Sequence, residues 1–113
     1  MTVTYSDKAK RLLSEAESAF AAATTTEVLS EYPYPPVEAT WDVSEDSEGH
    51  TVFTIQANEP EETARRVLEP DEVKSKHDLR YHLYRLMGDL LRQRSDKLIG
   101  WSFKSERRNG QEN

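Results

Sequence analysis

The chain has 113 residues, enough for one hydrophobic core and too few for two full domains. Leu, Ile, Val and Phe together number 22 of 113, a thin supply of core for a chain that is 32% charged, so their placement decides whether it folds. With no cysteine, disulfide scaffolds, thiolate zinc sites, redox pairs and cysteine nucleophiles are excluded. No basic stretch followed by an apolar run opens the chain, and no long apolar segment occurs, so a soluble, cytoplasmic protein without membrane contact is the expectation.

From Ser6 to about Ala23, the apolar residues Ala9, Leu12, Leu13, Ala16, Phe20 and Ala23 recur at the three-and-four spacing of one helical face. Ser6 is the expected N-cap, Asp7 suits the positive end of the helix dipole, and Thr24, Thr25 and Thr26 are expected to weaken the helix. The segment Tyr32-Pro-Tyr-Pro-Pro36 excludes regular structure and reads as a stiff joint, with recognition as a polyproline-type peptide as the sharper alternative.

Val37, Ala39, Trp41 and Val43 then alternate with Glu38, Thr40, Asp42 and Ser44, which is the period of a half-buried strand. Phe53, Ile55 and Ala57 repeat the pattern after a polar connection from Glu45 to His50, so the two runs predict an antiparallel hairpin. Thr63 to Leu68 reads as a third strand with either Ala64, Arg66 and Leu68 or Thr63, Arg65 and Val67 facing inward; a helical turn fits nearly as well. Pro70 and Asp71 close that element.

From Ser75 to about Lys97, Leu79, Leu83, Leu86, Leu90 and Leu91 form the apolar stripe of the longest predicted helix, with Ser75 and Asp78 in a capping arrangement. Ile99, Trp101 and Phe103 alternate with polar residues and predict a last strand over 98–104, leaving a polar, mobile tail at 105–113. The fold expected is a single α+β domain over residues 1–104. Two amphipathic helices pack on one face of a small antiparallel sheet, in the order α-β-β-(β)-α-(β). The order α-β-β-β-α is similar to that of double-stranded RNA-binding domains and of secretion chaperones, a resemblance of topology alone. The opening of the long helix, Ser75-Lys-His-Asp-Leu-Arg80, departs from the first of these because it lacks a basic, glycine-containing approach to phosphates.

Charge is divided along the chain. Residues 24–64 hold ten acids and no Lys or Arg, whereas residues 65–113 hold twelve bases and eight acids. Such a division bears on partners, not on fold. Two candidate surfaces follow from it. The acidic hairpin carries Glu45, Asp46 and Glu48 at its tip. The long helix lines up Tyr81, Arg85, Gly88 and Arg92, with Arg80 and Tyr84 adjacent and His77 above. Gly88 either admits a partner's backbone or serves packing within the fold.

Catalytic signatures are scarce. The glycines at 49, 88, 100 and 110 form no phosphate loop, and no nucleophile elbow occurs. His50, His77 and His82 lack metal-pair spacing, and Asp78 with His82 is expected as a surface ion pair. No metal or cofactor is expected. The reading favoured is a non-enzymatic protein-interaction module, of adaptor, inhibitor or chaperone kind, whose partner is another protein. Nucleic-acid binding through Arg80, Tyr84, Arg85 and Arg92 is the alternative, and a small enzyme built on His82 is a third. A homodimer burying Trp41 or Trp101 is also open.

Overall fold

The computed structural model describes residues 2–32, 38–59 and 62–111, with side chains as far as 96. Its elements are β1 (Thr2–Tyr5), α1 (Asp7–Leu12), α2 (Glu15–Leu29), β2 (Glu38–Glu45), β3 (Thr51–Asn58), β4 (Thr63–Leu68), α3 (Pro70–Lys74) and α4 (Lys76–Gln111). The class is α+β, and α2 and α4 lie together on one side of a four-stranded sheet of order β1-β2-β3-β4.

The sheet is mixed rather than purely antiparallel. β2 pairs antiparallel with β3, Trp41 opposite Ile55, and β3 antiparallel with β4, Ile55 opposite Arg66. A strand absent from the sequence reading, β1, adds to the free edge of β2 in parallel, Val3 beside Ala39. The helices α1 and α2 supply the crossover that a parallel pair requires. Thr63 to Leu68 is a strand, and Ala64 and Leu68 are the residues it buries.

The N-terminal helix is broken where one continuous helix was expected. Ser6 caps α1 through its hydroxyl, which accepts from the Ala9 amide. Ser14 then starts α2 with a reciprocal capping box: its hydroxyl accepts from the Glu17 amide at 3.1 Å, and the Glu17 carboxylate accepts from the Ser14 amide at 2.8 Å. Leu12 is left exposed at the break, and α2 buries Ala21, Thr24, Thr25, Val28 and Leu29. The threonines therefore do not end the helix. Thr25 donates to the Ala21 carbonyl and accepts from the Trp41 indole N–H, so a hydroxyl in the core is satisfied twice.

Leu79, Leu83, Leu86 and Leu90 of α4 are completely buried against the sheet, each side chain contributing on the order of 2 kcal/mol of burial free energy. Trp41 is also completely buried, inside its own molecule, so it cannot be the ring that a homodimer covers. Instead of returning as a strand over 98–104, the backbone continues in α4 as far as Gln111, so the trailing β of the expected order is absent and the first part of the expected tail is helical. The prolines at 33, 35 and 36, Val37, and residues 112–113 lie outside the described residues.

Candidate functional site

α4 carries the densest collection of sequence-predicted site residues, and its packing sorts them. The leucine stripe faces the sheet; the opposite side of the helix leaves an open depression of about 330 Å³ lined by His77, Arg80, Tyr81, Tyr84 and Arg85. Tyr81 is 53% exposed, one of only three large hydrophobic side chains that the described residues leave in solvent. Its ring meets the His82 imidazole edge-on at 5.4 Å, which steadies a side chain otherwise free to rotate.

Arg80 and Tyr84 are half committed to the fold. The Arg80 guanidinium pairs with Glu27 of α2 and donates to the Tyr84 hydroxyl at 3.2 Å, and that hydroxyl donates to Glu31 at 3.2 Å. Arg80 also stands 5.6 Å from the centre of the Tyr84 ring, within cation–π reach. The Glu27 carboxylate raises the Arg80 pKa above its ordinary value. These contacts fasten α4 to α2. Arg85 and His77, by contrast, make no ion pair among the described residues, and both are exposed. Arg92 lies farther along, 67% exposed and 3.6 Å from Asp89. Arg94 is turned inward onto the buried Glu59 carboxylate, 3.3 Å away, which also accepts from the Tyr32 hydroxyl.

His82 does not pair with Asp78 at the surface as expected. It is buried; its Nε2 lies 2.7 Å from Glu72 of α3 and its Nδ1 lies 3.1 Å from an Arg66 guanidinium nitrogen of β4. Since a guanidinium only donates, Nδ1 must accept and Nε2 carries the proton given to Glu72. Both ring nitrogens are thus engaged by neighbours within the fold. The Glu72 carboxyl is held below its ordinary pKa, first by the Glu69 amide and then by His82. Neither Glu72 nor Arg66 stood out in the sequence, because each partner comes from a different element.

The hairpin tip is built around Asp46. Its carboxylate accepts from the Glu48 and His50 amides, both at 2.9 Å, and Gly49 completes the turn with φ 82°, a conformation side chains rarely adopt. The His50 amide, first among the causes, keeps the Asp46 carboxyl below its usual range. Asp46 thus shapes the loop, while Glu45 and Glu48 remain exposed and Glu48 shares the His50 ring at 3.5 Å. The tip does not meet the arginines of α4: the described ion pairs of that helix go to Glu27, Glu59, Glu72 and Asp89.

Among the described residues no three His, Asp or Glu side chains gather as a metal site requires, and no described helix is long and apolar enough to cross a membrane. The uncovered face of the sheet offers a second, more polar depression of about 270 Å³, lined by Thr40, Asp42, Thr54, Gln56 and Arg65. There Asp42 is held ionised by the Ser6 hydroxyl first and by the Val43 amide.

No protein-family model matches the chain, and no relative is found among curated proteins. Among solved structures it is similar to the N-terminal domain of Protein Y from Thermus thermophilus, with 14% sequence identity and a TM-score of 0.52 over 80% of this chain and 93% of that one. At that identity the likeness is one of fold.

Proposed function

We propose that this small α+β domain is a non-enzymatic protein-interaction module of the cytoplasm, docking a partner protein on the outer face of α4. The observation that carries the reading is the depression around Tyr81: a half-exposed ring beside Arg85 and His77, neither of which has an ion-pair partner of its own among the described residues. A rigid amphipathic ring next to a free guanidinium is the composition enriched where interfaces concentrate their binding energy. The depression is open and lined among the described residues by two arginines, two tyrosines and a histidine of one helix, without the convergent acid, base and nucleophile that catalysis needs. The exposed Glu45 and Glu48 of the hairpin add a distant negative pole that orients encounter rather than anchoring it.

Nucleic-acid binding is the weaker reading of the same face. Arg80 and Arg94 are engaged by Glu27 and Glu59, and Arg92 stands beside Asp89, which subtracts from any phosphate-tracking charge.

The test is a photo-crosslinking amino acid placed at Tyr81 and, as control, at Val67, which is 52% exposed on the far face of the sheet. In cells of origin, position 81 is expected to give a discrete protein adduct and position 67 none. Adducts that vanish on nuclease treatment, or none from position 81, would discard the proposal.

A further inference from the structure

Strand register builds the floor of the depression on the uncovered face of the sheet from two neighbouring cross-strand rows. One row is Thr40, Gln56 and Arg65; the next is Asp42, Thr54 and Val67. Asp42 and Arg65 therefore stand at opposite corners, their Cα atoms two strand spacings and two residues apart, about 12 Å. No ion pair joins them, and Arg65 has none among the described residues. The Asp42 carboxylate accepts from the Ser6 hydroxyl and the Val43 amide, while Lys8 of α1 and Arg65 act on it only through space. Around it, Thr4 and Thr40 share a hydrogen bond of 3.1 Å, and Gln56 and Thr63 both donate to Asn58 at 3.0 Å. The Thr54 hydroxyl has no such partner, although the residue is only 6% exposed. A hydroxyl buried so far and left unmatched is uncommon, and the depression it lines is the side from which a match can come.

We propose that this depression binds a free α-amino acid with an apolar side chain, its ammonium on Asp42, its carboxylate on Arg65 and the Thr54 hydroxyl, and its side chain toward Val67. The site lies across the sheet from α4 and is independent of docking there.

Charge calls for a ligand of both signs. The charged side chains that the sheet turns to this face are Glu38, Asp42 and Arg65, and with Lys8 they make two acids and two bases. A simple cation would meet Arg65 and a phosphate would meet Asp42, a repulsion in either case. A neutral sugar would cover both charges and neutralise neither, and no aromatic ring lines the depression for a sugar ring to stack on. A zwitterion satisfies both corners at once through charge-assisted hydrogen bonds. Val67, beside Thr54 and 52% exposed, offers the apolar surface for its side chain. A space of about 270 Å³ is smaller than the pockets that take drug-sized ligands, which suits one amino acid and not a longer peptide.

The experiment titrates the isotopically labelled full chain with L-leucine, N-acetyl-L-leucine, L-leucinamide and glucose, following the backbone amide resonances of β2, β3 and β4. L-Leucine is expected to give saturable shifts centred on Asp42, Thr54 and Arg65. Blocking either charge, in N-acetyl-L-leucine or L-leucinamide, should raise the Kd by about tenfold, as should Asp42→Asn and Arg65→Gln in the protein. Thr54→Val, which keeps the shape of the side chain and removes the hydroxyl, should raise it by about threefold. Asp42 also holds Ser6, so where Asp42→Asn lowers the melting midpoint, the exposed Arg65→Gln and the two blocked leucines decide the question. L-Leucinamide bound as tightly as L-leucine, or L-leucine bound equally by wild type and Arg65→Gln, overturns the zwitterion. Glucose moving these amides where L-leucine does not overturns it in favour of a sugar. No response to any of the four probes leaves Thr54 to water and overturns the site altogether.

Discussion

Replacing His82 with leucine should destabilise the domain by about 2 kcal/mol, although His82 belongs to no docking surface. The figure follows from what each partner retains. Glu72 loses its imidazole donor, but its side chain is 31% exposed and still accepts from the Glu69 amide, so water makes good most of the loss. Arg66 fares worse: its Nε is already buried without a partner, and removal of Nδ1 leaves a second donor of the same guanidinium unmet. Leucine keeps much of the apolar volume, so a cavity adds little. The expected cost is that of one poorly satisfied charged group, a sizeable part of the roughly 5–15 kcal/mol that holds a domain together. Urea unfolding followed by tryptophan fluorescence measures it. Arg66→Met in the His82→Leu background should recover more than half of the loss, because the stranded charge is then gone. Full additivity of the two substitutions, or His82→Leu within 0.5 kcal/mol of wild type, would show that the bridge joining α3, β4 and α4 is not what stabilises this corner.

Ser14→Ala removes the hydroxyl that accepts from the Glu17 amide and should cost about 1 kcal/mol in the same unfolding assay; an unchanged midpoint would mean that the break between α1 and α2 does not depend on its cap. Burial pushes the phenols of Tyr5 and Tyr32 from 10.0 up to about 12, in Tyr32 with help from Glu59. The folded chain therefore keeps protons that the unfolded chain releases, and the associated stability is whole below pH 10 and lost as pH climbs through 12. An absorbance titration at alkaline pH should show a late-ionising class of tyrosines that shrinks in Tyr32→Phe and Tyr5→Phe. At the acid end the carboxyls of Glu17, Asp42, Asp46 and Glu72 are depressed, so their contribution is present above the ordinary carboxylate range and lost as pH falls through their lowered values. Glu72→Gln should reduce that acid loss, and a variant with an unchanged acid limb would remove Glu72 from the account.

Where local pattern and tertiary demand agree, the chain could be read directly. Strict alternation placed both strands of the hairpin, Asp46 and Gly49 marked its turn, and leucines at helical spacing identified the buried side of α4. β1 was illegible for a physical reason: four residues with Val3 and Tyr5 alternating carry little signal, and its partner lies beyond two helices. The break at Ser14 did leave a trace, since Ser14-Glu-Ala-Glu17 is a capping-box sequence inside an apparently continuous apolar stripe. At the other end, alternation of Ile99, Trp101 and Phe103 competed with an unbroken helix arriving from Leu90, and with no proline to stop it the helix prevailed. On the site, Tyr81 and Arg85 are where helical spacing put them. The engagement of Arg80, Tyr84, Arg92 and Arg94 depends on Glu27 of α2, Glu31 just after it, Asp89 of α4 itself and Glu59 just after β3, and only the fold discloses which of these are met.

The division of charge along the chain survives folding only in part, and the part that is consumed determines what the rest can do. Glu27, Glu31 and Glu59 belong to the acidic stretch, yet they are spent on Arg80, Tyr84 and Arg94, fastening α4 to α2 and to the segments that follow α2 and β3. In a chain of net charge -6 that internal use leaves little of the helix's positive charge unpaired, which limits long-range attraction toward polyanions. The residual positive charge at Arg85 is local, so it acts at contact distance and favours recognition by fit over capture by field. On the docking role proposed for this face, a partner protein is met by Tyr81 and Arg85 at contact distance, and binding should depend less steeply on salt than a phosphate-tracking surface would.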